Sequence, residues 1–197
     1  MDATAFWNWV RANRKRFTSD AAIRSAGEPA GVLDELSDKL QEVDDALTLQ
    51  FTSGPGTEPV LAIGCDGDEE LIENVQRLVA AAGEIDGLRV VAFAQRISPK
   101  ELELELGDGF VLKASEMWFR LSPDESHFDR LALKLFVKAP RVTEELAEAS
   151  VLMVEAVLGE FALMTGIGDI DVEVAPAKRA DLMPLEKLVS TFDGWDR

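Results

Sequence analysis

Hydrophobic residues recur at two spacings along this chain, and the order of those spacings predicts its fold. Apolar residues at helical spacing mark four segments, which are 3–17, about 30–46, 66–82 and 143–165. Apolar runs or alternation, typical of strands, mark 47–52, 60–65, 88–95, 101–121, 130–138 and 170–176. The pattern predicts a single α+β domain over residues 1–197, with a mixed, mostly antiparallel sheet of six to seven strands covered by helices. Within it, we expect residues 1–29 to form an N-terminal helix and connector docked on the body.

One segment predicts a β-hairpin with a defined register. Leucine and glutamate alternate over residues 101–106, and a Gly-Asp-Gly turn separates them from a second strand. A three-residue loop, Gly107 to Gly109, sets Leu104 against Leu112 and Glu103 against Lys113. A two-residue loop would set Leu104 against Lys113 instead. We predict the three-residue loop, because it pairs apolar with apolar residues and opposite charges with each other.

Other local patterns predict where elements begin, end and lie. Asp66 is expected to cap the helix that follows it, and Gly83 is expected to end that helix. The near-continuous apolar run at 88–95 is typical of a central strand. A bulge near residues 115–116 would restore the phase of the strand beyond it. Thr143 is expected to cap the long helix, which should be the most buried one.

Two stretches of the chain repeat the same order of elements. Residues 47–95 and 110–175 each run strand, strand, helix, strand, and each helix ends in a similar way, AAAGEIDGLRVVAFA against LMTGIGDIDVEVAPA. One interpretation is a duplicated unit that shares one sheet. The other is two ordinary hairpins with covering helices.

Aromatic and basic residues crowd the first helix. At about 100° per residue, Phe6, Val10 and Phe17 form an apolar stripe with Trp7 and Trp9 on its shoulders. The favoured interpretation is docking of this helix on the acidic body, with its arginines paired to carboxylates. The other interpretation is a contact with a partner or a second copy, through a cation–π group. Its candidate residues are Trp7, Trp9, Arg11 and Arg14, and Trp7 is expected to be the exposed tryptophan.

Composition restricts the classes of function. The chain has 20 basic and 37 acidic residues, a net charge of −17, and this field repels the phosphate backbone of nucleic acids. Cys65 is the single cysteine, so no internal disulfide forms and a reducing cytoplasm is the expected compartment. The first residues lack a secretory-signal pattern, and no apolar run reaches the ~20 residues of a membrane span.

Candidate chemistry is sparse in this sequence. One cysteine and one histidine cannot complete the usual zinc sites, so we expect neither a metal nor a cofactor. His127 would have to serve any nucleophilic triad, but acidic loop residues surround it and a surface position is expected. The alternative carboxylate site comprises Asp66, Asp68, Glu103 and Glu105. A helix cap explains the first pair, and a solvated sheet face with lysine partners explains the second.

The N-terminal segment Phe6-Trp7-Asn8-Trp9-Val10 resembles a motif of uncharacterised bacterial proteins that begin with a Phe-Trp-x-Trp-Phe type sequence. Valine replaces the last aromatic here, and GCDGDEEL stands where those proteins have an ADG-like turn before a helix. The resemblance covers about the first half of the chain and implies no activity. It implies that both tryptophans belong to a structural element of the group.

The sequence alone identifies no activity. It favours a non-enzymatic, acidic, cytoplasmic protein that binds another protein. A basic partner, which this protein would neutralise or regulate, suits the charge. The alternative is an enzyme or binder of small molecules that uses carboxylates of the sheet face or of the 65–70 turn.

Overall fold

A computed structural model describes residues 1–17, 31–52, 58–107, 109–175 and 181–195. The predicted connector over residues 18–29 lies outside these ranges, as does Asp108 of the hairpin turn. The chain divides into two compact units, a first unit of residues 1–94 and a second unit of residues 95–197. The single domain expected from the sequence stays a prediction, and each unit is described by itself.

The described residues of the first unit form three helices and a three-stranded sheet. Its elements are α1 (Ala3–Phe17), α2 (Val32–Gln41), β1 (Thr48–Thr52), β2 (Val60–Gly64), a 3-10 turn (Glu69–Leu71), α3 (Ile72–Ala82) and β3 (Arg89–Ala92). β2 lies at the centre, antiparallel to β1 and parallel to β3. The prediction that the 88–95 run forms a central strand is therefore wrong, and the largely buried β2 has that position.

Different residues from those expected shape the start of α3. The carboxylate of Asp68 accepts a hydrogen bond from the backbone N–H of Glu70 at 3.0 Å and so caps the 3-10 turn. Asp66, the predicted cap, lies in the preceding turn with φ of 50°. The predicted end is confirmed, since Gly83 terminates α3 with φ of 58°, a conformation that glycine adopts without strain.

The second unit contains six strands and three α-helices among its described residues. Its elements are β4 (Glu103–Glu105), β5 (Val111–Lys113), β6 (Met117–Pro123), β7 (Leu131–Val137), α4 (Glu144–Leu158), α5 (Glu160–Gly166), β8 (Ile167–Val174), β9 (Met183–Pro184) and α6 (Leu188–Asp193), with short 3-10 turns at Pro99–Glu101, Ala114–Glu116 and Leu185–Lys187. β4 and β5 form a hairpin sheet, and the other strands form a sheet in the order β8-β7-β6-β9.

The α+β class is confirmed, but the single sheet of six to seven strands is wrong. The described residues form sheets of three, two and four strands. The 3-10 turn of Ala114–Glu116, whose Ala114 N–H donates to the Leu102 carbonyl at 3.0 Å, separates β5 from β6. This turn stands where a bulge was expected, and it moves the chain to another sheet.

The hairpin register is confirmed. Glu103 lies opposite Lys113 and Leu104 opposite Leu112, as the three-residue loop requires. The Lys113 Nζ and Glu103 Oε2 atoms are 3.7 Å apart. Local pairing of charge and apolar character was therefore sufficient to define this register.

The long helix predicted at 143–165 is two helices. Thr143 caps α4 as expected, with its hydroxyl oxygen accepting from the Leu146 N–H at 3.2 Å. Gly159, with φ of 79°, then breaks the helix before α5 begins. The buried face of α4 packs into the main hydrophobic core of the second unit, against apolar side chains of β6 and β7.

The two repeated stretches share their topology. In residues 47–95, β1 and β2 are antiparallel, and β3 is parallel to β2 after a helical crossover. In residues 110–175, β6 and β7 are antiparallel, and β8 is parallel to β7 after a helical crossover. They do not share one sheet, since β1–β3 and β6–β8 belong to separate sheets. The second stretch also contains β5 and a second helix, α5, so the predicted order of elements is shared only in part. A duplication as its origin stays a prediction.

Candidate functional site

Helix α1 docks within the first unit through its tryptophan. Trp7 is completely buried, and its indole Nε1–H donates to the Leu78 carbonyl of α3 at 2.8 Å. The ring of Phe6, also buried, packs edge-on against it with centroids 4.7 Å apart. The prediction that Trp7 is the exposed tryptophan is wrong, and Trp9 is the half-buried one. A buried indole N–H needs a hydrogen-bond acceptor, which the carbonyl of Leu78 supplies.

The arginines of α1 contact acceptors of the same unit. Arg11 donates to the Ala82 carbonyl at the end of α3, where a cation is favourable. Arg14 donates from Nε to the Asp86 carbonyl at 2.9 Å, and its terminal nitrogen lies 3.0 Å from the Asp86 carboxylate. Three of the four candidates for a partner contact, Trp7, Arg11 and Arg14, therefore have roles inside the fold.

The four candidate carboxylates lie in two different units. Asp66 and Asp68 are exposed in the turn after β2, where Asp68 serves as a cap. Glu103 and Glu105 are exposed on β4, and Glu103 pairs with Lys113. In the described ranges, no group of three or more His, Cys, Asp or Glu side chains is arranged to hold a metal ion.

A depression in the second unit is lined by Ile97, Ser98, Lys100 and Leu102.

The loop between β6 and β7, residues 124–130, holds an arrangement that sequence reasoning missed. We call it the 124–130 loop. The carboxylate of Asp124, a residue only 3% exposed, accepts from the backbone N–H groups of Ser126 at 2.7 Å and His127 at 3.1 Å. Its second oxygen accepts from the Asp169 N–H of β8 at 3.1 Å and lies 3.4 Å from His127 Nδ1. One side chain thus fixes the loop to a neighbouring strand.

These hydrogen bonds favour the ionised form of Asp124. The backbone N–H groups of Ser126 and His127 lower the pKa of its carboxyl below the usual value, against the opposing effect of burial. Gly168 leaves the space that the carboxylate occupies, because a Cβ at this position would lie 1.9 Å from the nearer carboxylate oxygen. The sequence signal was an aspartate two and three residues before its N–H donors, which is typical of a turn.

At the tip of this loop, Phe128 is 98% exposed. Its neighbours Glu125 and Asp129 are exposed as well. The loop is closed by two backbone hydrogen bonds, from Asp124 N–H to the Arg130 carbonyl at 3.1 Å and from Arg130 N–H to the His127 carbonyl at 2.9 Å. An apolar ring is therefore presented to solvent on a loop of fixed shape, among acidic residues.

No protein-family model matches this sequence, and no curated protein matches it at significant similarity. No helix in the described ranges is both long and apolar enough to cross a membrane.

Proposed function

We propose that this protein is a non-enzymatic, acidic, cytoplasmic protein that binds another protein through a basic surface of that partner. The observation that carries the proposal is the charge balance, 37 acidic against 20 basic residues. Such a field steers a basic partner toward the chain and repels nucleic acid.

Contacts within each unit strengthen this argument. Basic side chains of the described residues pair with carboxylates of their own unit, and these residues are Arg14, Arg16, Lys39, Arg96, Lys113, Arg120, Lys134 and Lys138. Their positive charge is compensated locally, so the charge left over to meet a partner is negative. Exposed pairs of this kind contribute little to stability. The acidic excess that remains unpaired is the part of the charge that can act on association.

The alternative, an enzyme or binder of small molecules built on carboxylates, has less support. A general acid or base needs partial burial away from a neutralising cation. The candidate carboxylates at 66, 68, 103 and 105 are exposed, and Glu103 has a lysine partner. The described side chains that line the depression of the second unit include no carboxylate and no imidazole.

We further propose that Trp7 and Trp9 serve the structure of the N-terminal element, as the resemblance to the Phe-Trp-x-Trp-Phe group implies. The burial of Trp7 and its bond to Leu78 support this role.

A pull-down from lysate of the native host tests the proposed function. At low salt the tagged protein is expected to recover a basic protein. Salt at about 0.5 M should release this protein, because the Debye length falls to ~4 Å and the attraction between the two charged surfaces is screened. Recovery of no partner at low salt would contradict the proposal. A partner that binds equally well in high salt would show that charge does not drive the contact.

A further inference from the structure

We propose that Phe128 is the anchor of the protein-binding surface, and that it inserts into an apolar pocket rimmed by basic residues on the partner protein. This inference rests on the proposed function, and it adds the residue and the kind of pocket. The surface comprises the 124–130 loop, with the phenyl ring at its tip and the carboxylates of Glu125 and Asp129 beside it.

Exposure distinguishes Phe128 from the other apolar residues of the described chain. Its side chain is 98% exposed, and the next large apolar residue is Leu152 of α4 at 58%. A phenylalanine can bury about 150–250 Å² on insertion into a pocket. The ring is free to transfer nearly all of its area to a partner, because its own unit buries almost none of it.

The shape of the loop is set before any partner binds. Asp124 ties Ser126, His127 and Asp169 together through hydrogen bonds of 2.7 to 3.1 Å. The two backbone bonds that close the loop position residue 128 between them. A preordered loop loses little conformational entropy on binding, so the energy gained by burying the ring is not spent on ordering the chain.

Charge around the ring selects the kind of partner. Glu125 and Asp129 flank Phe128 and are exposed, whereas Arg130 donates to the Met164 carbonyl at 3.3 Å within its own unit. A pocket with a basic rim complements this arrangement. A second copy of the chain does not, because it would bring like charges together on molecules that each carry −17.

A photocrosslinking experiment identifies the occupant. The photoreactive p-benzoyl-phenylalanine replaces Phe128 in the full chain expressed in its native host, and Leu152 in a matched control. Irradiation is expected to give a discrete adduct from position 128 with a basic protein and none of that adduct from position 152. An adduct consisting only of two copies of this chain would overturn the inference.

The change in Kd on truncation of the ring then decides whether Phe128 is an anchor. Crosslinking alone shows only that the partner lies close to position 128. The crosslinked protein is purified, and its Kd is measured by calorimetry with the wild-type chain, Phe128→Ala and Leu152→Ala. Anchor residues at interfaces typically weaken binding by about 30-fold when truncated, so we expect a loss of at least about tenfold for Phe128→Ala and less than about twofold for Leu152→Ala. Circular dichroism checks that both variants fold, as exposed positions should allow.

The outcomes separate the inference from the proposed function. If wild type binds a basic protein and Phe128→Ala binds it within about twofold, the anchor is wrong and the proposed function stands. If the chain with the photoreactive residue at position 128 captures no basic protein, and the wild-type chain binds none at low salt, both are wrong. A tenfold loss confined to Phe128→Ala supports both.

Discussion

Asp124 shows how one buried carboxylate organises a surface. It accepts backbone hydrogen bonds from its own loop and from β8, and Gly168 leaves room for it. Nothing in the local sequence indicated the contact to β8, because that strand lies 45 residues further along the chain. A turn was predictable from the aspartate, but its burial was not.

The pH dependence of stability tests this role of Asp124. Its pKa is lowered in the folded protein, so its contribution to stability is present above the pKa of the unfolded chain, about 4, and is lost as pH falls through the lower folded value. Asp124→Asn removes this contribution and turns an amide donor toward the Asp169 N–H. We expect the difference in free energy of unfolding between wild type and variant to be constant above about pH 5 and to shrink below about pH 4.

Urea titrations followed by circular dichroism across this pH range measure that difference. The pKa of Asp193 is also lowered, by Arg96. Asp193 is present in both proteins, so its contribution cancels in the difference between their free energies of unfolding. A difference that stays constant down to pH about 3 would show that the ionisation of Asp124 does not contribute.

Trp7 is the residue for which the sequence and the structure disagree most. Helical geometry predicted a position on a shoulder of the apolar stripe. Its burial depends on α3, whose Leu78 lies 71 residues further along the chain. We expect Trp7→Phe to lower the free energy of unfolding by about 1–3 kcal/mol, because it removes the indole hydrogen bond to the Leu78 carbonyl and leaves a cavity behind the smaller ring. The half-buried Trp9 supplies the matched control.

Chemical denaturation of Trp7→Phe and Trp9→Phe, read by circular dichroism, compares the two positions. The Trp9 change should cost less than the Trp7 change. Equal costs, or a larger cost at Trp9, would contradict the docking geometry of α1.

At the scale of elements, Gly168 of β8 is necessary for the attachment of the 124–130 loop. A methyl group there would overlap the Asp124 carboxylate, so we expect Gly168→Ala to destabilise the second unit by about 1–3 kcal/mol, the usual cost of overpacking. Asp169→Ala, at the next and exposed position, keeps the N–H that Asp124 accepts and should have a smaller effect. Thermal denaturation of both variants makes the comparison, and a neutral Gly168→Ala would contradict the close contact.

The β4–β5 hairpin shows what local sequence can predict. Its register followed from pairing Leu104 with Leu112 and Glu103 with Lys113, all within one short segment. The separation of sheets after β5 did not follow, because it depends on how Ala114 bonds to the Leu102 carbonyl in a turn. The break of the long helix at Gly159 likewise had a sequence signal, a single glycine, that apolar periodicity outweighed.

A double-mutant cycle with Glu103→Gln and Lys113→Met tests the register. The two side chains are half exposed, so we expect a coupling of about 0.2–1 kcal/mol that salt reduces. The alternative two-residue turn would place Lys113 opposite Leu104 and give no coupling. Urea unfolding at low and high salt measures it.

At the scale of the whole molecule, the sequence alone established the net negative charge, and the structure shows which basic side chains are paired with carboxylates. Ion pairs compensate eight basic side chains of the described residues. The candidate carboxylates are exposed, and an apolar ring projects from an acidic loop. Composition predicted the attraction to a basic partner. It could not locate Phe128, because exposure at a loop tip depends on the tertiary contacts of Asp124.

The salt dependence of partner binding tests the central claim most directly. The purified partner and the wild-type chain are titrated by calorimetry from about 50 mM to about 500 mM salt, over which the screening length falls from roughly 14 to 4 Å. We predict that the Kd rises at least about tenfold over this range, because charge steers and holds the complex. A Kd that changes by less than about twofold would contradict the account of an acidic protein recognising a basic surface.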